Sequence, residues 1–155
     1  MKTKKVYSLK ALLKLIDSFK AQKKKIVFTN GCFDILHPGH LSLLRQAKSK
    51  GDVLVVGMNS DSSVRKIKGS SRPIFNQNHR SQILEAIEVV DYVLIFNGDT
   101  PYREIAKLKP DVLAKGGDWA KNEIVGADIA KKVIRIKLKP GYSTTGIIKK
   151  IKSRA

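Results

Sequence analysis

The sequence predicts an α/β protein built on a parallel five-stranded sheet with helices on both faces. Three observations point there. Short apolar runs alternate with longer amphipathic stretches along the whole chain. Runs such as Val53-Leu-Val-Val56 are continuous rather than alternating, as strands covered on both faces are. The 155 residues, 42% of them hydrophobic, suffice for one compact core, with no repeat or Pro/Gly-rich linker to suggest a second. Strand then helix, repeated, requires the crossover connections that join parallel strands.

In chain order, Ser8 caps a helix carrying Leu9, Leu12, Leu13, Ile16 and Phe19 at helical spacing, closed by Lys23-Lys-Lys25. Residues 1–24 read as a basic N-terminal helix and 25–155 as the core. Residues 26–28 form the first strand. Pro38-Gly39 opens a helix with Leu41, Leu44 and Ala47 on one side, ended by Gly51. A second strand follows at 53–57. A short polar helix over 60–67 and the loop 69–73 precede a helix over 78–89 with Ile83, Leu84 and Ile87 inward. The third strand is 92–96. Thr100 caps a helix that starts at Pro101 and runs to about Leu108. The fourth strand is 111–114, then come a helix within 122–132, a fifth strand over 133–138, and a last helix capped by Ser143 or Thr144.

The totals narrow the class. No apolar stretch approaches the ~20 residues of a membrane span, and the basic N-terminus leads into no apolar signal core. The chain reads as soluble and cytoplasmic. Cys32 is the only cysteine, which excludes an internal disulfide or a thiolate metal cluster. Lys and Arg number 31 against 13 acids, giving +18. The lysines are spread through the sequence, as on a solvated surface, and the potential attracts anionic substrates. The rival reading is a basic nucleic-acid-binding protein. Aromatics at 6%, and no RNP, helix-turn-helix or zinc spacing, speak against it.

The chemistry concentrates in Asn30-Gly-Cys-Phe-Asp-Ile-Leu-His-Pro-Gly-His40. His37 and His40 flank a Pro-Gly turn where the first core strand passes into a helix. A helix N-terminus offers unpaired N–H groups and partial positive charge to a phosphate. Gly39 permits close backbone approach. Two imidazoles there can stabilise charge that builds on phosphoryl oxygens. Ser143, Thr144 and Thr145 mark a second helix N-terminus suited to phosphate. Lys68, Arg72 and Arg80 lie in and after the polar segment that follows the second strand.

These motifs resemble the cytidylyltransferase-like nucleotidyltransferase family, whose hallmark is His-x-Gly-His after the first strand of a Rossmann-like three-layer sandwich. The likeness runs from Asn30 to Ile148. It implies direct attack of an acceptor phosphate on the α-phosphate of a nucleoside triphosphate, with Mg²⁺ and no covalent enzyme intermediate. Cys32 is then a buried small residue, not a nucleophile. His37, His40 and Lys68 become the catalytic set. Asn30, Gly31, Cys32, Phe33, Gly39, Gly117, Asp118, Trp119, Ser143, Thr144 and Thr145 bind the nucleotide. Asp34 orders the loop or carries Mg²⁺ through water, and with Arg72 and Arg80 serves the acceptor side; the metal ligands stay open.

Three branches of the family compete. Leu138-Lys-Pro-Gly-Tyr142 stands where glycerol-3-phosphate cytidylyltransferases carry Arg-Thr-x-Gly-Ile, and FMN adenylyltransferases usually lack Lys115-Gly-Gly-Asp-Trp119. With Gly141-Tyr-Ser-Thr-Thr145, the motifs are most similar to the adenylyltransferases of ADP-heptose synthesis. That implies ATP and D-glycero-D-manno-heptose 1-phosphate as substrates, a heptose kinase on a separate chain, and a homodimer.

Overall fold

The computed structural model describes residues 4–117 and 120–155. Six parallel strands make one sheet: β1 (Val6–Tyr7), β2 (Ile26–Gly31), β3 (Val53–Asn59), β4 (Tyr92–Phe96), β5 (Val112–Gly116) and β6 (Lys132–Ile136). Their spatial order is β1-β4-β3-β2-β5-β6. Every residue of β3 is buried, which fits its continuous apolar run in the middle of the sheet. The helices are α1 (Leu9–Ala21), α2 (Pro38–Lys48), α3 (Asp61–Lys68), α4 (Gln77–Ala86), α5 (Tyr102–Leu108) and α6 (Thr144–Lys152).

Two cores separate the layers. On one face Val27, Leu54, Val56, Met58, Val93 and Ala114 pack with Leu43, Leu44 and Ala47 of α2 and Leu84 of α4. On the other, Ile26, Phe28, Val53, Val55, Leu94 and Leu113 pack with Leu12 and Ile16 of α1 and Ile105 and Leu108 of α5. Consecutive strand residues serve opposite cores, so a side chain's face follows from its register.

At the N-terminal pole of the sheet, aspartates fix the strand starts. Asp52 Oδ2 accepts from Lys25 N at 2.7 Å, Asp91 Oδ2 from Leu54 N at 2.7 Å, and Asp111 Oδ2 from Ile26 N at 2.9 Å. At the C-terminal pole the chain leaves β2 toward β3 on one side, while β5 lies on the other. This is the topological switch point, where open α/β sheets bind ligands.

Several expectations change. The sheet has six strands, not five: Val6 and Tyr7 pair with Val93 and Leu94 at one edge. Two residues show no period, and their partners lie far along the chain. The helix expected within 122–132 does not form. A single 3-10 turn, Lys121–Glu123, is followed by turns through Gly126, whose φ of +87° suits glycine and whose Cα lies against Ile105. Helix α4 stops at Ala86 because Ile87 is extended, and Ile83 faces outward at 38% exposure. Pro101, not Thr100, is the N-cap of α5, and it makes no side-chain cap bond.

Candidate active site at the switch point

A cavity of about 530 Å³ opens at the C-terminal ends of β2 and β5, within the usual size for a small-molecule site. It is built outward from the turn between β2 and α2. In that turn Phe33 and Ile35 hold left-handed φ values of 48° and 51°. Non-glycine residues pay for such geometry, which persists where surrounding contacts over-determine it. Those contacts come from Asp34, which is 1% exposed. Its carboxylate accepts from Arg72 Nε at 2.8 Å, Ile74 N at 2.8 Å and Phe75 N at 3.0 Å. Its carbonyl accepts from Thr144 Oγ1 at 2.7 Å, tying α6 to the same turn. Burial works to raise the Asp34 pKa, but the two backbone donors and Arg72 outweigh it and hold the carboxyl below its ordinary value.

His37 is the N-cap of α2, its Nδ1 accepting from Gly39 N at 3.1 Å, which assigns its proton to Nε2. His40 stacks on it with ring centroids 3.9 Å apart and planes 23° apart, and Phe33 backs His40 at 5.3 Å. Gly39 is required between them: a Cβ there would stand 2.9 Å from His37 Cε1 and 3.3 Å from Tyr142 Cβ. Burial lowers the His40 pKa to about 4, helped by His37 and opposed by Asp34; burial also lowers His37. Both rings are therefore neutral near pH 7. His40 Nδ1 is buried with no hydrogen-bond partner among the described residues.

Facing the pair is the N-terminus of α6. Ser143 is its N-cap, Oγ accepting from Gly146 N at 3.0 Å; Thr144 instead donates to Asp34, and Thr145 lines the cavity with both. Asn30, Gly31, Cys32, Phe33, Lys68 and Arg72 also line the same space. Cys32 is half-buried rather than fully buried, and burial pushes its thiol up against the pull of Lys68, Arg80 and Arg72, so it stays protonated. Lys68 is the exposed last residue of α3.

Arg80 stands apart from the cavity. It is 1% exposed, and its guanidinium donates to Phe75 O, Cys32 O, Asn59 O and Asp61 Oδ1 at 2.6–2.9 Å. The structure places it as the organiser of the β2, β3 and α4 ends rather than beside an acceptor. Its position at the start of a helix suggested a clamp; burial and partners were invisible in sequence. Gly117 is placed just beyond β5 with φ +110°, while Asp118 and Trp119 lie outside the described residues.

The structure adds lining residues outside every quoted motif, Asn59 at the end of β3, Thr100 and Pro101 beyond β4 and Glu123 to Val125 after β5, and it brings to the cavity Lys115, Leu138 and Tyr142, which stood in quoted motifs without an assigned role. Tyr142 lies 6.4 Å from His37 with planes 21° apart, and Lys139 Nζ sits 5.4 Å over its ring. For the residues outside the motifs, the available signal was their place at or after the ends of strands.

Two helix N-termini, a neutral histidine pair and flanking cations on one cavity have the chemistry to hold an anion such as a polyphosphate. Comparison with known proteins shows the family. Residues 28–150 match the family model described as Cytidylyltransferase-like. The chain is 50% identical over 141 residues to the Bifunctional protein HldE of Helicobacter pylori, covering 91% of this chain and 30% of that one. It is 57% identical over 130 residues to the protein of the same name from Campylobacter concisus, covering 84% and 28%. The chain thus spans about three-tenths of the length of these curated relatives. Among solved structures it is similar to the lipopolysaccharide core biosynthesis protein of Thermoplasma volcanium, at 30% identity and TM-score 0.64, covering 75% of this chain and 98% of that one. A pantoate-beta-alanine ligase from Francisella tularensis, solved with an ATP analogue and beta-alanine, shares the fold at 17% identity and TM-score 0.65, covering 93% and 70%. The chain belongs to the cytidylyltransferase-like family and is a nucleotidyltransferase.

Proposed function

We propose that the protein transfers AMP from ATP to D-glycero-D-manno-heptose 1-phosphate, releasing pyrophosphate and ADP-heptose for lipopolysaccharide core assembly. The observation that carries the reading is the stacked His37–His40 pair at the N-terminus of α2, set against the Ser143-capped helix across one cavity. The match to a lipopolysaccharide core biosynthesis protein supports the pathway. The relatives are bifunctional by name and much longer, which fits a neighbouring activity that supplies the sugar 1-phosphate.

In this reading an acceptor phosphate oxygen attacks the α-phosphorus as the bond to the bridging oxygen of pyrophosphate breaks. The histidines, neutral before reaction, donate N–H bonds to oxygens that gain charge, and α6 holds the β- and γ-phosphates. Among the described residues no three His, Cys, Asp or Glu side chains converge on a metal position, and the Asp34 carboxylate already accepts three hydrogen bonds. Magnesium brought by the triphosphate would supply neutralisation of phosphate charge, and Asp34, its carboxylate committed to Arg72, Ile74 and Phe75, would order the turn rather than ligate the ion directly.

The test is pyrophosphate release with ATP or CTP crossed against heptose 1-phosphate, glycerol 3-phosphate and FMN. Turnover is expected with ATP and the heptose; turnover only with CTP and glycerol 3-phosphate overturns the assignment. His37→Ala and His40→Ala should each lower kcat by ~10²-fold or more, the size of losing one transition-state donor. Unchanged kcat in both removes the site.

A further inference from the structure

The two histidines of the site are fixed unequally. His37 Nδ1 accepts from Gly39 N at 3.1 Å, so its proton sits on Nε2. His40 has no such fix: its Nδ1 is buried and has no hydrogen-bond partner among the described residues, although the ring lines the cavity. A buried imidazole nitrogen left alone costs free energy in either tautomer. With the proton on Nδ1, Nε2 would be an acceptor only and could not serve phosphate oxygens. A donor role for His40 therefore calls for a hydrogen bond donated to Nδ1 from within the fold.

Among the described residues one other buried side-chain atom has no partner, Thr29 Oγ1, on a fully buried residue. The remaining buried polar side chains are committed: Asn59 to Ser63, Ser60 with Ser62, Ser63 to Gly98, Ser81 to Asn78, and Asp34 and Arg80 to the partners already given. Thr29 stands in the layer that His40 enters. Side chains alternate along β2, so Thr29 shares the face of Val27, which packs in the core formed with α2. On α2, His40 precedes Leu43, Leu44 and Ala47 by three, four and seven positions, which sets all four on one stripe facing that core. His40 is at the N-terminal end of the stripe, next to the C-terminal end of β2. Phe33, which backs His40 at 5.3 Å, would meet a Cβ on Gly31 at 3.2 Å, and Thr29 is the next residue along β2 on the Gly31 face, roughly 6–7 Å further in. A ring nitrogen and a hydroxyl, both enclosed and both without a partner, are the kind of pair that one internal water joins.

We propose that Thr29 is a positioning residue for His40: a buried water accepts from the Thr29 hydroxyl and donates to His40 Nδ1, holding the imidazole with its proton on Nε2. The inference rests on the donor role given to His40 in the transfer reaction above. Gly39 N fixes the first histidine, and the Thr29 hydroxyl fixes the second.

The experiment compares Thr29→Val, which keeps the shape and removes the hydroxyl, with Thr29→Ser, which keeps the hydroxyl. Nitrogen-15 NMR of the three histidines near pH 7 reads their tautomers without any substrate. Wild-type His40 should be protonated at Nε2; Thr29→Val should turn it into a mixture with the Nδ1-protonated form and leave His37 as it was. With ATP and heptose 1-phosphate, Thr29→Val should lower kcat roughly 10-fold, the size of losing one buried hydrogen bond, while both KM values change less than about threefold. Serine should keep the wild-type tautomer and recover most of kcat. An unshifted His37 signal shows that each variant is folded. Independently of any variant, a high-resolution crystal structure of the wild-type protein should hold a water within hydrogen-bond distance of both His40 Nδ1 and Thr29 Oγ1. No such water, a His40 tautomer that valine leaves unchanged, or a serine variant as impaired as valine overturns the role of Thr29 and leaves the transfer reaction standing. Wild-type enzyme that turns over no sugar 1-phosphate overturns that reaction instead, and the NMR comparison still decides whether Thr29 sets the tautomer.

Discussion

Two helices point their N-termini into one cavity, and they are held in opposite ways. Helix α2 is packed into the core through Leu43, Leu44 and Ala47, and its own cap is the histidine that faces the ligand space. Helix α6 has no buried residue; Ile147 and Ile148 are half-covered, Ile151 is 60% exposed, and Thr144 ties its first turn to Asp34. The contrast teaches a division of labour. The groups proposed to act on the reacting phosphorus ride on a helix fixed by core packing, where sub-ångström placement is maintained. The groups proposed to hold the outgoing phosphates ride on a helix fixed mainly by polar contacts at its N-terminus, which ligand can strengthen.

The largest expected effect tests the packing side. Leu44→Ala removes a fully buried side chain and should cost about 2–5 kcal/mol in urea unfolding. A loss under about 1 kcal/mol would show that α2 is not anchored as described.

Acidification should come next. The folded pKa values of His40, about 4, and of His37 lie below the unfolded value near 6.5, so the folded state binds fewer protons between them. Stability is fully present above about pH 6.5 and is lost as pH falls toward 4, with about 3 kcal/mol of the loss from His40. Asp34, also depressed, contributes only at lower pH, where its carboxylate finally protonates. His40→Asn should flatten the decline between pH 6.5 and 4; an unaltered decline would place its origin elsewhere.

Thr144→Val cuts the tether of α6 while keeping its shape. Losing a neutral hydrogen bond of about 1 kcal/mol predicts a several-fold rise in ATP KM with little change in unfolding midpoint. Equal changes in Leu44→Ala and Thr144→Val, by both readouts, would erase the distinction between the helices. The smallest effect belongs to Ile151→Ala, within about 0.5 kcal/mol of wild type, as for an exposed residue outside the core.

Much of the site was legible because it is local. His37, Pro38, Gly39 and His40 lie within one turn, so capping rules alone put the imidazoles at a helix N-terminus, and Ser143 or Thr144 announced the second one in the same way, the structure choosing Ser143. The long alternating elements were legible for the same reason. Val6 and Tyr7 were not, because their partners Val93 and Leu94 lie more than 80 residues away and a two-residue strand has no period. The segment after β5 looked helical in composition, but Gly126 packed on Ile105 sets a turn instead.

The sequence by itself determined the α/β class, the parallel order of strand and helix, and a histidine-capped helix N-terminus at its first core crossing, since each depends on neighbours within a few residues. Tertiary structure decided which cations meet the cavity. Arg80 and Arg72 lie eight positions apart and look alike as text. One spends its guanidinium on Phe75, Cys32, Asn59 and Asp61 beneath the surface, and the other lines the site from Asp34. Lys115 is one lysine among many until its place near the end of β5 brings it to the lining of the cavity. Burial and long-range pairing are properties of the packed sheet, and no local pattern encodes them.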